Sequence, residues 1–531
     1  MTNGRRLFSC STSVDTLPAL HGIRFLSIAW IVLDHQYLVY SSAPLSNAII
    51  LKEHISDWTR MYLFNGTVSV DTFLLLSGFL LSYLFLKAMK NKALGEFNII
   101  PFYIHRYIRL TPAFAVVILL QGSLIYHFGS GPLWESGINS FTQPCQKFWW
   151  SSLLYIHNYI NPNELCVGQS WYLAVDMQLY ILSPLLLILM LKRPKQGVAL
   201  IIFLIIVGII IDFVIAYVYK FQPSLLGNAA AQNYQQSHIY LPTHARFVPW
   251  LMGLILGYII HEARERPLKL SKLAIVSGWV AAIFVSVGSQ NSPYRLQQLD
   301  YVYNRLQCSV FFALFRAGWT LGIAWVIFAC VSGYGGPVNT VLSWRVWMPM
   351  SRLTYAIYLV HLPVLYIRIF ALKSPLYFDD INVVSDFLGN LAISSAVAVL
   401  LSLCFESPTI ILEKILMRRV CPNALTTELS MSRPMPRLDQ ELPLPDSQAV
   451  RCTLLSAKLL YDVFKSLRLI VSPHLLVYYN MKNKKKLGEN PSKNAAALAS
   501  ARPHWVYLLE DRGRVADVDR DLIRYSRLRF F

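Results

Sequence analysis

Ten times along its 531 residues the sequence stays apolar for close to the ~20 residues a helix needs to cross a bilayer. The runs fall near 23–40, 61–86, 111–128, 171–191, 198–219, 245–260, 273–287, 310–331, 353–370 and 386–405. Hydrocarbon offers the backbone no water, so each crossing segment must satisfy its own amides, and a run of this length does so as a helix. A further apolar run near 148–160 is too short and too polar to span and is expected at the interface. The expected fold class is therefore all-α: a multi-pass membrane protein of about ten transmembrane helices. Composition agrees, since 15% of residues are charged against about 25% in soluble domains. The formal charge of +19 does not point to nucleic acid, because the basic residues sit in short clusters between apolar runs rather than in one stripe.

Those clusters orient the chain. With the N-terminus placed in the cytoplasm, the inner loops 87–110, 192–197, 261–272 and 332–352 hold 14 Lys and Arg in 63 residues. The outer loops 41–60, 129–170, 220–244, 288–309 and 371–385 hold 7 in 124. Positive charge is retained inside, so both termini are expected to be cytoplasmic. Whether the membrane is the plasma membrane or an internal one is not legible. Cys145 and Cys166 then share the oxidising outer loop, either as a disulfide or as two free thiols. Asn65-Gly66-Thr67 is the only N-x-[ST] sequon, on the outer side but against the second run: a glycan acceptor or a packed Asn. No CxxC pair occurs, so no zinc-type metal site is expected. The first 19 residues are polar, carry Arg5 and Arg6, and read as a cytoplasmic segment without a secretory leader. Residues 20–416 form the membrane domain. Residues 417–531 read as a largely disordered cytoplasmic tail, Pro-rich at "RPMPRLDQELPLPDSQ", with a candidate amphipathic helix at "LLSAKLLYDVFKSLRLIV".

The apolar runs also contain what hydrocarbon rejects. "LHGIRFLSIAWIVLDHQY" carries Arg24, Asp34 and His35, and an ionisable group at the bilayer centre costs roughly 2.5–3.5 kcal/mol unless paired or wet. Arg24 and His35 are eleven residues apart, about three turns plus ~20°, so both point the same way ~16 Å apart along the axis. A cation at the inner edge with a titratable base farther along the same face describes the wall of a polar tunnel; a snorkelling anchor and a satisfied core histidine are the plainer alternative. Other runs carry Asp71, Asp176 with Gln178, Arg246, Tyr355 with His361, and Glu406, while Arg106 and Arg109 share one helix face at the cytoplasmic edge. Paired arginines there suit phosphate, with fixed charge and forked donors, or serve only as a positive-inside cluster. An acid, base or cation in most spans calls for a shared polar interior.

In order and spacing these segments resemble the integral-membrane acyltransferase-3 family, in particular its animal nose-resistant-to-fluoxetine-like branch. The segments that carry the resemblance are "LHGIRFLSIAWIVLDHQY", "VDTFLLLSGFLLS", "HRYIRLTP", "SWYLAVDMQLYILSP", "ARFVPWLMGLILGY", "RLTYAIYLVHLP" and "ESP". The resemblance implies ten helices around a tunnel and O-acyl transfer, from a cytoplasmic donor expected to be acyl-CoA, to a hydroxyl of a lipid, glycan or small molecule. It places the family's Arg-x10-His pair on Arg24 and His35, its R-x-x-R on Arg106 and Arg109 as the donor's phosphate contacts, and Asp71 and Asp176 beside them in the catalytic set. His35 would be the general base. Asp34, Gln178, Arg246, Tyr355, His361 and Glu406 would line the tunnel. Implied partners are membrane lipids, acyl-CoA and the hydroxyl acceptor, with no metal. Where the family often has a carboxylate pair, this chain has Asp176 beside Met177. The rival from another class is a lipid or small-molecule transporter that uses the same tunnel without chemistry.

Overall fold

The structure is a computed structural model. It describes residues 4, 7–10, 17–41, 43–223, 229–298 and 300–420. The expected tail beyond residue 420, with its amphipathic segment, lies outside the described residues, as does most of the expected 1–19 segment.

Twelve helices of eight residues or more organise the described chain: α1 Ala19–Ser41, α2 Val68–Met89, α3 Ile99–Leu119, α4 Trp134–Leu153, α5 Trp171–Lys192, α6 Pro194–Tyr219, α7 Phe247–Glu265, α8 Lys272–Asn291, α9 Arg305–Val331, α10 Trp347–Phe370, α11 Asp380–Leu401 and α12 Ser407–Val420. The described residues hold no strand, only an isolated bridge between Leu45 and Leu376. Each of the ten apolar runs falls on one of these helices. Among the described residues, eight helical segments are long and apolar enough to cross a membrane. α1 and α7 are not among the eight: they correspond to two of the runs, but they carry Arg24 and Asp34, and Glu262, Arg264 and Glu265. The chain is thus a multi-pass membrane protein.

Two local departures have physical causes. The run expected over 61–86 is broken at Asn65-Gly66, with a short helix Met61–Phe64 before the break and α2 after it. Gly66 packs so tightly on α1 that a Cβ there would lie 2.8 Å from the Asp34 carboxyl carbon. Of the segment expected as an interfacial stretch at 148–160, residues 148–153 end α4, a 20-residue helix with non-helical backbone at Phe148, and the rest is a turn and a short helix, His157–Ile160. Its sequence, "WESGINSFTQPCQKFWWSSL", is too polar for any hydropathy scan to flag as a span. Cys145 of α4 is disulfide-bonded to Cys166, which selects the disulfide of the two alternatives.

Glycine decides which helices meet most closely. A Cβ at Gly78 of α2 would sit 2.1 Å from the Trp250 carbonyl oxygen of α7. One at Gly253 would sit 2.3 Å from the Leu75 carbonyl, and one at Gly257 2.6 Å from the Phe79 carbonyl. Only glycine permits that approach, and Gly253-x-x-x-Gly257 supplies it on successive turns. Among the described residues, the α2–α7 pair therefore shares the most extensive contact; α1 packs beside α10, and α9 packs against α6, α7 and α8. In α2, 67% of the apolar stretch is buried, whereas α6 and α8 bury 17% of theirs. A helix apolar all round but unburied by protein faces lipid, so α6 and α8 form the rim and α1, α2, α5, α7 and α10 the interior.

Candidate active site

The interior polar groups fall into two sets, one closed by ion pairs and one left open. In the closed set, Arg246 at the start of α7 meets Asp71 of α2 at 3.0 Å, both side chains with 0% exposure. Arg246 Nε also donates to the Tyr240 carbonyl at 2.8 Å, and its guanidinium lies over the Tyr240 and Trp171 rings at 4.3 and 4.9 Å. Next to it, Arg316 of α9 lies 3.7 Å from Asp212 of α6 and donates to the carbonyls of Ala245 and Ile239 at 2.7 and 3.0 Å. Asp212 and Arg316 escaped the sequence reading. The signal was present, one charge in the middle of each of "VGIIIDFVIAY" and "FFALFRAGWTL", and an intramembrane ionisable residue is a candidate by default.

Arg106 of α3 is likewise engaged. It pairs with Asp176 of α5, whose other oxygen accepts from Ser77 at 2.5 Å, and it lies 4.3 Å from the Tyr180 ring centre. Gln178, two residues on, belongs to a separate polar knot: it donates to the Tyr155 carbonyl at 2.8 Å and to Asn158 Oδ1 at 2.9 Å, and accepts from Thr243. Gln178 therefore ties the expected outer segments to α5.

The open set contains Arg24, Arg109 and His35. Among the described residues, Arg24 and Arg109 enter no ion pair or hydrogen bond, yet they lie close enough to repel one another. Arg109 is exposed and Arg24 half-buried. Tyr172 also lies near Arg24; Tyr355 and Glu406 are near Arg109, and the Tyr355 hydroxyl donates to the Leu110 carbonyl at 2.6 Å. Glu406 sits in a π-turn, Ser402–Glu406, that joins α11 to α12. The R-x-x-R pair is thus divided: Arg106 has a carboxylate in ion-pair contact, and Arg109 has only Glu406 at longer range.

His35 meets His361 of α10, Nδ1 to Nε2 at 2.9 Å. The ring planes differ by 17° with centroids 5.1 Å apart. That separation matches the bond plus two ring radii, so the imidazoles lie edge to edge. Asp34 does not orient His35. It points to a different side of α1, against Gly66 and near Tyr240, as the ~100° step between adjacent helix residues requires. Asn65 of the sequon is buried, and its amide donates to the Ser289 and Gln290 carbonyls at 3.2 Å each, so the packed alternative is the one observed. No cluster of three metal-ligating side chains occurs among the described residues.

On the expected outer side, His157 is fully buried, with Nε2 3.0 Å from Ser170 Oγ. The Ser170 hydroxyl donates to the Val167 carbonyl at 2.7 Å, so His157 Nε2–H is the donor of that contact. Burial pushes its pKa down from 6.5 to about 4 and keeps the imidazole neutral.

Residues 17–406 match the model of a family described as an acyltransferase domain. "Nose resistant to fluoxetine protein 6" of Caenorhabditis elegans is 29% identical over 433 residues, covering 77% of this chain and 52% of the relative. "Regulator of hypoxia-inducible factor 1" of the same organism is 25% identical over 382 residues, 66% of this chain and 71% of that one. A Staphylococcus aureus protein named "Putative O-acetyltransferase" is 24% identical over 267 residues, 49% of this chain and 38% of its own. The chain thus spans about half the length of the first of these relatives. No solved structure matches it significantly.

Proposed function

Because the chain belongs to the acyltransferase-3 family, we propose that it is a membrane-bound O-acyltransferase, moving an acyl group from acyl-CoA at the cytoplasmic face to a hydroxyl of a lipid, glycan or small molecule. The observation that carries this reading is the division of the interior cations. Arg106, Arg246 and Arg316 are neutralised by Asp176, Asp71 and Asp212; Arg24 and Arg109, although adjacent, have no carboxylate in ion-pair contact. Two like charges near one another without a contact ion pair stabilise the fold poorly and an incoming anion well. The phosphates of the donor supply that anion. Arg109 and Arg24 make the contacts, while Arg106, locked on Asp176, braces α3 against α5 and so places Arg109. Asp71 and Asp176 then act as counter-ions rather than as groups that touch substrate.

The chemistry follows from the same face of α1. With the donor's phosphates at Arg24 and Arg109, its pantetheine arm runs along α1 toward His35, about 16 Å away along the axis. Neutral imidazole takes the proton of the acceptor hydroxyl as its oxygen attacks the thioester carbonyl. The C–S bond breaks, CoA thiolate leaves and receives that proton, and the ester is the product. No covalent enzyme intermediate is needed. In this arrangement both termini are cytoplasmic, which the Lys/Arg asymmetry supports. The Cys145–Cys166 disulfide, in the loop assigned to the opposite side, supports it too.

The test is thiol release from acetyl-CoA by the purified full chain in lipid nanodiscs. His35→Ala is expected to fold, bind acetyl-CoA and lose ~10²–10⁴-fold in turnover. A folded wild type that binds no acyl-CoA and releases no thiol belongs with the transporter reading. Orientation is tested separately. Cysteine probes in intact cells should label in the 129–170 loop and stay silent in 87–110.

A further inference from the structure

We infer that His361 is a positioning residue that fixes the tautomer of His35, making Nε2 the nitrogen that accepts the proton. This rests on the reading of His35 as the base; what it adds is which atom acts and why. A bond between two imidazole nitrogens requires one N–H and one lone pair, and distance alone does not say which ring donates. The surroundings of His361 decide it. Its Nδ1 faces two backbone carbonyls, Tyr358 at 2.8 Å and Ile357 at 3.2 Å. Carbonyls only accept, so His361 Nδ1 carries the hydrogen. A neutral ring then holds a lone pair on Nε2, the atom 2.9 Å from His35 Nδ1. His35 Nδ1 must therefore be the donor, and the free lone pair of His35 is on Nε2. Among the described residues, nothing bonds to that nitrogen.

The arrangement is built into α10. Pro363, two residues beyond His361, has no N–H, so the Leu359 carbonyl one turn earlier loses its helical partner. Gln169 fills the vacancy: its amide donates to the Leu359 carbonyl at 3.0 Å and to the Tyr358 carbonyl at 3.1 Å. The Tyr358 hydroxyl donates back to the Gln169 carbonyl. These bonds anchor the turn whose carbonyl faces His361 Nδ1. His361 itself is fully buried. The chain of constraint runs from the Tyr358 carbonyl through His361 to His35, and ends in a lone pair. In a serine hydrolase a carboxylate has the place of His361, holding the tautomer and stabilising the imidazolium. Here the partner is neutral. It orients the base without adding a negative charge to the membrane interior.

Two substitutions separate orientation from packing. His361→Asn keeps an amide N–H near the Nδ1 position for the Tyr358 carbonyl but presents nothing to His35. His361→Gln places an amide oxygen near the Nε2 position and keeps an acceptor for His35 Nδ1–H. With acetyl-CoA thiol release in nanodiscs as the assay, His361→Asn is expected to lower kcat roughly 10–100-fold at unchanged KM, less than the ~10⁴-fold that loss of the orienting carboxylate costs a serine hydrolase, because the neutral partner supplies orientation without charge. His361→Gln should recover most of that loss. The ¹⁵N spectrum of ring-labelled full chain, with the His35 signals assigned by their absence in His35→Ala, should show His35 with Nε2 unprotonated and Nδ1 protonated. An unprotonated His35 Nδ1 overturns the inference, and so does full kcat in a folded His361→Asn chain. If His35→Ala retains full activity, the reading of His35 as base fails instead, and the two failures are told apart by that one variant. The spectrum needs no substitution at position 361, so it decides the matter even if both variants misfold.

Discussion

Asp71–Arg246 and Arg24–Arg109 are both pairs of ionised groups inside the same bundle, and they are built on opposite principles. The first is two opposite charges with no exposure, 3.0 Å apart, the guanidinium lying over two aromatic rings. The second is two like charges with no counter-ion in contact, one exposed and one half-buried. A closed pair returns part of its desolvation cost as Coulomb attraction and hydrogen bonds. An open pair has no contact ion pair to offset its repulsion, only the more distant Glu406, until an anion arrives. The comparison teaches that a buried charge in this chain is not by itself a sign of function. The informative feature is the missing partner, and it is absent on the face of α1 that leads to His35.

The comparison is most exposed to failure at His35. His35→Ala should abolish nearly all transfer, ~10²–10⁴-fold, while thermal unfolding in detergent stays close to wild type. A destabilised variant with normal activity per folded molecule would make His35 a core residue and move it to the closed class. The closed pair should behave in the reverse way. Asp71→Ala or Arg246→Ala alone strands a buried charge and should cost roughly 3–5 kcal/mol of stability. The apolar double replacement Asp71→Leu with Arg246→Met should cost less than either single change, as a double-mutant cycle on unfolding would reveal.

Arg109→Ala should leave unfolding within about 0.5 kcal/mol of wild type and raise KM for acetyl-CoA by an amount equivalent to roughly 1.5–3 kcal/mol. Arg106→Ala should do more to stability than to KM, because it orphans Asp176. Equal effects of the two arginines on KM would erase the distinction drawn between them. The acid limb is a smaller test. His157 has a folded pKa of about 4 against 6.5 when free, so its contribution is intact above pH 6.5 and is lost as pH falls toward 4. At pH 5 the loss is about 2 kcal/mol, and His157→Gln should flatten the pH dependence of unfolding by that amount. The smallest effect is a null one. Glycosidase treatment of chain made in a secretory system should produce no mobility shift from Asn65, whose amide is held in the core.

How much could be seen beforehand varies by element. All ten apolar runs lie on helices because hydrocarbon leaves a crossing segment no other way to satisfy its backbone, and that rule needs no knowledge of neighbours. Apolarity alone makes the run at 61–86 continuous; the break at Asn65-Gly66, where Gly66 packs against Asp34, is visible only in the structure. α4 is not legible as a helix in the sequence, since its residues are mixed in polarity. The arginines and carboxylates were visible as types, yet their pairing was not. Arg106 and Arg109 are equivalent in sequence, and only α5, bringing Asp176 to one of them, makes them different.

Membership of the acyltransferase-3 family, the multi-pass all-helical class and the candidacy of Arg24 and His35 were determined by the sequence itself. The first rests on the order and spacing of seven segments and on a family match over residues 17–406; the second rests on the length and apolarity of single runs; the third rests on an eleven-residue spacing within α1 and on the family's Arg-x10-His pair. Behind the last two the physics is local: backbone satisfaction in lipid, 3.6 residues per turn, the cost of a lone charge. The tertiary structure alone decided which charges are cancelled and which are left open, and that His361, 326 residues from His35, is the group against it. Coulomb energy and hydrogen bonds depend on separations of a few ångströms, and separations between distant segments exist only once the helices have packed.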